Sequence, residues 1–193
     1  DPELIGHQAD GGTRDEIAAV ADAIGSIDWL IITLSGNEGP GPITGLDLDM
    51  LRRAFDAKFW GHVTTIQAVL PHLASSGSIT LLGAISARTG MPGTAGIAAI
   101  NGAVEALVKP LAAELAPIRV NGVSPGVVDT PWWSTFPEDA RAAYFGQAAK
   151  VLPTRRVATA EDIAEVVAMT ATNLNLTGTV IEADGGARLV SLT

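Results

Sequence analysis

Short apolar segments that alternate with long segments of helical periodicity constrain the fold of this 193-residue chain more than any other feature. The longest, Ile27 to Leu34, is apolar almost throughout, which is typical of a strand buried on both faces. Similar segments follow at 79–83, 118–123 and 179–183. Regular alternation of strand and helix predicts βαβ units, and therefore an α/β fold built on a parallel sheet.

The segments between the apolar runs have the residue types and spacing of helices. Thr13 and Glu16 form the pattern of a capping box, which predicts a helix from there to Ile24. Asp47 is placed to cap a long helix that reaches Leu73, because apolar residues recur there in steps of three and four. Further helices are predicted over 95–116, 137–149 and 160–171, and a short strand is weakly indicated over 4–9.

Composition and charge exclude several classes of protein. The chain is 47% hydrophobic and 17% charged, so it is not disordered, and its net charge of −9 disfavours nucleic acid as a partner. The absence of cysteine excludes disulfides and cysteine-based metal sites. The sequence has no run of about 18 apolar residues, so we expect no membrane-spanning segment and no membrane partner. We also see no secretory signal in it. We therefore expect one cytoplasmic domain over 1–193.

Three strand ends carry small or turn-forming residues, at Thr33 to Gly36, Gly83 to Ser86 and Ser124 to Thr130. Ligands of open parallel sheets bind beyond the carboxyl ends of the strands, and small residues let a ligand approach the backbone closely. Any one of these turns is explained equally well as a simple strand terminator. Together, the three predict a shared crevice.

Several of these segments resemble the short-chain dehydrogenase/reductase family. The sequence RVNGVSPGVVDTP, residues 119–131, is similar to a conserved segment of that family, and 103–117 resembles the second half of its active-site helix. Residues 160–164 and 177–186 resemble its C-terminal segments. The resemblance implies a doubly wound, Rossmann-type sheet and a homodimer or homotetramer. It also implies an oxidoreductase that uses NAD or NADP on the carbonyl or alcohol of a small-molecule substrate.

The chain departs from the family pattern at its beginning. Family members start with a strand and a Gly-rich turn that holds the cofactor pyrophosphate, and no G-x-x-x-G-x-G pattern occurs here. Asp10 resembles the aspartate that ends the third family strand. We therefore expect a Rossmann-like domain that is truncated at its N-terminus.

The catalytic positions depart from the pattern as well. The family's tyrosine and lysine fall at Ile97 and Asn101, its asparagine falls at Lys58, and its serine falls near Ala84, two residues before Ser86. Ile97 cannot donate a proton to a developing alkoxide. The candidate catalytic residues are therefore Lys58, Asn101 and Ser86. Lys58 is either the acid, an anchor for an anionic substrate group, or an ordinary surface lysine.

The resemblance also implies contacts with the cofactor. Asp10 would meet the adenine, Asn101 would replace the ribose-binding lysine, and no metal ligands are expected. Thr33, Ser35 and Gly36 would lie on the adenosine side of the crevice, and Pro125, Gly126, Val128 and Thr130 at its nicotinamide end.

Several other polar and aromatic residues are considered as site residues. His62 lies on an apolar helix face and is expected to be a core histidine. Tyr144 either lies on a helix surface or closes over a substrate, and Trp132 and Trp133 line either a pocket or a subunit contact. The Arg155–Arg156 pair is either solvated or near a cofactor phosphate.

The altered catalytic positions leave a second function open, that of a catalytically inactive relative that senses or binds a dinucleotide.

Overall fold

The structure of this chain, a computed structural model, describes residues 4–36 and 38–191. Its helices are α1 (Arg14–Ile24), α2 (Leu48–Phe55), α3 (Gly61–Val69), α4 (Ala95–Glu114), α5 (Glu138–Val151) and α6 (Ala160–Thr172). Its strands are β1 (Ile27–Ile32), β2 (Leu73–Leu82), β3 (Arg119–Pro125), β4 (Val128–Asp129), β5 (Ala158–Thr159) and β6 (Val180–Ala183).

Four strands form one parallel sheet in the order β1-β2-β3-β6. Ile79 of β2 pairs with Val120 of β3, and Gly122 of β3 pairs with Val180 of β6. The two-residue strands β4 and β5 form a separate parallel pair. All connections within the sheet are therefore crossovers, as the alternation of strands and helices predicts.

Helices cover both faces of the sheet. The side chain of Ile79 belongs to a core cluster with Val104 and Val108 of α4. The next residue along β2, Thr80, contacts Thr170 of α6, with 3.1 Å between their hydroxyl oxygens. Because successive side chains of a strand point to opposite faces, α4 and α6 lie on opposite sides. The doubly wound architecture is confirmed.

The prediction that β1 is buried on both faces is wrong. Ile32 is buried, but Trp29 and Ile31, which point to the other face, are 56% and 42% exposed. The reason is that β1 is the outermost strand at its end of the described sheet, so α6 covers that face only in part. An apolar run alone does not distinguish an outer strand from a central one.

The long helix predicted from Asp47 to Leu73 is divided. The Asp47 carboxylate accepts hydrogen bonds from the backbone N–H groups of Asp49 and Met50, which confirms the predicted cap. A π-helical turn over Asp56–Trp60 then separates α2 from α3, and the helical part ends at His72. Such turns within α-helices are frequently found at functional sites.

Two predictions near the N-terminus are wrong. Residues 4–9 form no strand, because they pair with no other strand in the described part of the chain. Thr13 precedes α1 but its side chain makes no capping hydrogen bond. The Glu16 carboxylate instead accepts from the backbone N–H of Asp10, at 2.8 Å.

Helix α4 is the most apolar helix of the chain and continues through Pro110. By length and composition alone it could cross a membrane, with a mean hydropathy of 1.2 over its most apolar window. In the structure one side of α4 packs on β2 and β3 through Val104 and Val108. This packing places the first half of α4 beside the carboxyl ends of the strands.

Candidate functional site

A cleft of about 320 Å³ lies at the carboxyl ends of the strands. The three turns singled out from the sequence converge on it, after β1, β2 and β3. Of the residues expected to contact a cofactor or substrate there, those that line the cleft are Ser35, Gly36, Lys58, Ser86, Asn101, Pro125, Gly126, Val128 and Thr130. The cleft therefore combines the candidate catalytic residues with one end of the expected cofactor path.

The turn after β3 fits tightly against the end of β6. A Cβ atom on Gly126 would lie 2.7 Å from the carbonyl oxygen of Asp184, closer than such atoms approach in proteins. Only glycine therefore permits this approach of the two strands. The close contact holds Pro125 and Val128 at the rim of the cleft.

Lys58 enters the cleft from the π-helical turn and is only 9% exposed. Its ammonium nitrogen has one weak hydrogen bond, to the carbonyl of Gly83 at 3.4 Å. Burial removes water from the ammonium group and lowers the pKa of Lys58 to about 8, while the negative charge of Glu105 opposes the shift. Lys58 is thus a buried amine, and its interpretation as a surface lysine is wrong.

His62 lies one turn after Lys58 and is fully buried. Its Nδ1 lies 2.7 Å from the carbonyl oxygen of Lys58, and because a carbonyl only accepts, Nδ1 carries the proton. Burial lowers the pKa of His62 to about 4, so the ring is neutral at physiological pH. The expectation of a core histidine is confirmed, and this histidine fixes the backbone from which Lys58 projects.

Asn101 and Ser86 form the second polar group of the cleft. The Asn101 amide nitrogen donates to the Ser86 hydroxyl at 3.0 Å and to the Ile97 carbonyl at 2.8 Å. Asn101 is 6% exposed, and its Oδ1 is buried without a hydrogen-bond partner in the described structure. A buried acceptor without a partner destabilises the folded state, and a ligand that donates a hydrogen bond to this oxygen would relieve that destabilisation.

A chain of ion pairs lies behind the cleft. Arg88 bridges Glu105 of α4, at 2.8 Å, and Glu182 of β6, at 3.1 Å. Arg188 continues the chain, since it binds both Glu182 and Asp184 at 2.7 Å. Glu105, whose charge acts on Lys58, therefore has one carboxylate oxygen paired with an arginine, while its Oε1 is buried without a hydrogen-bond partner in the described structure.

Glu105 was not predicted as a site residue, although its spacing from Asn101 and Ile97 indicates this position. It follows Asn101 by four residues and Ile97 by eight, which places the three side chains on one face of α4. Gly83 makes room for it, because a Cβ atom there would lie 3.0 Å from Glu105 Cγ. Glu38 also lines the cleft and binds Arg53 at 2.8 Å. No spacing pattern in the sequence relates it to the predicted site residues.

Aromatic side chains form the outer wall of the cleft. Trp132, Trp133 and Tyr144 all line it, so Tyr144 does not lie simply on a helix surface. The rings of Trp133 and Tyr144 are 5.2 Å apart, and burial raises the pKa of the Tyr144 hydroxyl. Trp132 Nε1 donates to the carbonyl of Gly36 at 3.2 Å, which ties this wall to the turn after β1.

Some candidates lie away from the cleft. Asp10 and Thr33 are exposed and are not among its lining residues. Arg156 binds the Asp162 carboxylate at 2.6 Å, and the Arg155 guanidinium donates to the backbone of Lys150. Within the described ranges no cluster of three or more histidine or acidic residues could hold a metal ion.

Comparison with known proteins agrees with this architecture. The model of a family described as enoyl-(acyl carrier protein) reductase matches residues 8–188. A crystal structure of a small-chain dehydrogenase in complex with NADPH superposes with a TM-score of 0.90 and 37% identity, over 93% of this chain and 82% of that one.

Two curated relatives are similar in sequence. The cis-4-hydroxycyclohexanecarboxylate dehydrogenase of Sinomonas cyclohexanicum is 31% identical, over 94% of this chain and 77% of its own length. The short-chain dehydrogenase/reductase malC of Malbranchea aurantiaca is 29% identical, over 91% of this chain and 67% of its own length. On the extent of these matches, the chain belongs to the short-chain dehydrogenase/reductase family of NAD(P)-dependent oxidoreductases.

Proposed function

We propose that this protein reduces an apolar cyclic carbonyl, or oxidises the corresponding alcohol, with Lys58 as the acid that serves the substrate oxygen. One observation carries the proposal: a buried amine with a lowered pKa projects into the cleft where the strand ends converge. By the family resemblance the position of the tyrosine falls at Ile97, which cannot transfer a proton. Lys58, with its lowered pKa, is the group in the same cleft to which we assign this role.

In this proposal, NAD(P)H would supply the hydride for the carbonyl carbon when it is bound. The Lys58 ammonium donates its proton to the oxygen that becomes negative. An ordinary lysine is a weak acid at neutral pH, and a pKa of about 8 makes this one considerably stronger. Because reduction needs the protonated form, its rate should fall as the pH rises through about 8.

The residues of the cleft fit one end of the cofactor. The unpartnered Oδ1 of Asn101 offers an acceptor for a ribose hydroxyl, and Ser86 orients the amide that carries it. Pro125, Gly126, Val128 and Thr130 would meet the nicotinamide end, and Ser35 and Gly36 the adenosine side. Asp10 and Thr33 remain proposals for the adenine side, outside the cleft.

The aromatic wall suggests the class of substrate. Trp132 and Trp133 offer flat apolar surfaces, which favour a ring over a long polar chain. The name of the Sinomonas relative, a dehydrogenase of a hydroxycyclohexanecarboxylate, supports an alicyclic substrate. If the substrate carries a carboxylate, Lys58 acts instead as its anchor.

A paired-substrate assay separates these roles. The native protein is given NADPH with either cyclohexanone or 4-oxocyclohexanecarboxylate, and loss of NADPH is followed. Lys58→Met should lower kcat by about 10²–10⁴-fold on both substrates if Lys58 is the acid. A rise in KM confined to the carboxylate substrate identifies an anchor, and unchanged rates refute both roles. Lys150→Met, at an exposed position, is the matched control.

The second candidate is a dinucleotide sensor without catalysis, which Ile97 at the tyrosine position favours. The same experiment decides between the two functions. Binding of NADPH, measured by its fluorescence, without oxidation by any carbonyl compound would support the sensor.

We also propose a homodimer or homotetramer. Leu48 and Trp60 are 58% and 55% exposed, and they border a groove with Leu51 and Phe55 on the outer side of α2 and the π-helical turn. An exposed apolar patch of this kind marks an interface, and the family resemblance assigns it to a second copy.

A further inference from the structure

The environment of Lys58 differs from that of a lysine held in an ion pair. Its amine is surrounded by the cleft and forms no ion pair with any carboxylate in the described ranges. Glu105 acts on it only through its charge, at a distance; Arg88 holds one oxygen of that carboxylate at 2.8 Å, and the other oxygen is buried without a hydrogen-bond partner in the described structure. Glu38, the acidic residue that lines the cleft, is bound to Arg53 in the same way.

A lysine in this setting has a nucleophilic lone pair available under mild conditions. With a pKa of about 8, roughly one tenth of the Lys58 side chains are neutral at pH 7 and about half at pH 8. For a fully exposed lysine the neutral fraction at pH 7 is on the order of one in a thousand. Desolvation in an apolar pocket is one of the ways in which proteins activate an amine for covalent chemistry.

The walls of the cleft define what this amine can reach. Met91, Ile97 and Ile100 line it together with the two tryptophans, and the chain has no cysteine to compete as a nucleophile. Among the described residues that line the cleft, Lys58 is the one with an amine. A ligand with an apolar or aromatic body would bury that body there and bring a terminal carbonyl group to Lys58.

We propose that Lys58 captures aldehydes and unhindered ketones of apolar or aromatic body as an imine. The amine lone pair attacks the carbonyl carbon, a C–N bond forms, and one amine proton passes to the oxygen. The resulting carbinolamine loses its hydroxyl group with the second amine proton as water, while the nitrogen lone pair forms the C=N bond. Amine and carbonyl compound thus give imine and water, with no change of oxidation state.

This activity goes beyond the proposed hydride transfer and needs no nicotinamide. A ketone held as a protonated imine is more electrophilic than the free ketone, so such a site activates carbonyl compounds by itself. Failure to form an imine would leave the acid role of Lys58 unaffected, and failure of hydride transfer would leave the imine chemistry unaffected.

Reductive trapping tests the proposal. The protein is incubated at pH 7.5 with benzaldehyde and sodium cyanoborohydride, without cofactor, and benzylated lysines are mapped by peptide mass spectrometry. The chain has three lysines, and Lys109 and Lys150 are both exposed, so each molecule carries its own reference sites. Lys58 should be benzylated at least about tenfold faster than either.

Lysine-to-arginine variants identify the residue that is responsible for the fast labelling. Lys58→Arg keeps the positive charge but cannot form an imine, and it should abolish the fast labelling, whereas Lys109→Arg and Lys150→Arg should retain it. Equal labelling of all three lysines in the unmodified sequence, or no labelling of Lys58, would overturn the proposal. Because that comparison is made within one folded protein, the result does not depend on whether any variant folds.

Discussion

Replacing Lys58 by methionine should stabilise the protein at neutral pH, although it removes a candidate catalytic group. Burial lowers the pKa of Lys58 from 10.5, the ordinary lysine value, to about 8. Each unit of that difference corresponds to about 1.4 kcal/mol, so the folded protein bears a penalty of about 3 kcal/mol at pH 7. Methionine fills a similar volume and bears no such penalty.

The penalty depends on pH in a defined direction. Between pH 8 and 10.5 the unfolded chain binds the Lys58 proton more tightly than the folded protein, so stability rises with pH. The penalty is complete below about pH 8 and vanishes above about pH 10.5. The advantage of Lys58→Met should therefore shrink by about 3 kcal/mol between pH 7 and pH 10.5. Packing differences cancel in this comparison, because they do not change with pH.

Urea denaturation of both proteins at several pH values between 7 and 10.5 measures this change. Lys150→Met is the control, because Lys150 is exposed and replacing it should produce no comparable dependence on pH. His62 stays neutral over the whole range, since its pKa is about 4. An advantage of Lys58→Met that is constant with pH would show that Lys58 is hydrated in solution, and would refute the reasoning.

Two further outcomes are expected. Light scattering should find an oligomer that Trp60→Glu weakens, whereas a monomeric unmodified protein would exclude the proposed interface. Gly126→Ala should lower the free energy of unfolding by about 1–3 kcal/mol, because the new methyl group meets the Asp184 carbonyl. Gly146→Ala, in a helix with open space around it, should instead be neutral or stabilising, and equal effects would contradict the steric argument.

The sequence by itself determined the order of the four strands of the sheet and of the helices between them, and the edge of the sheet at which the cleft lies. These properties follow from local patterns: apolar runs that end in glycine or proline, the cap at Asp47, and helical periodicity. For parallel strands, chain order and crossover connections are enough to bring the ends of β1, β2 and β3 together.

Tertiary structure alone decided how the candidate site residues behave. The small residues at helical spacing around Lys58 (Ala54, Gly61 and Thr65) favour a closely packed face but do not exclude a surface lysine, because the burial of Lys58 depends on the π-helical turn and on packing against Gly83 and α4. The exposed face of β1 is a similar case, because an apolar sequence does not indicate whether a helix covers both faces of the strand. Burial, and the pKa that burial sets, are properties of residues distant in sequence that become neighbours only in the folded chain.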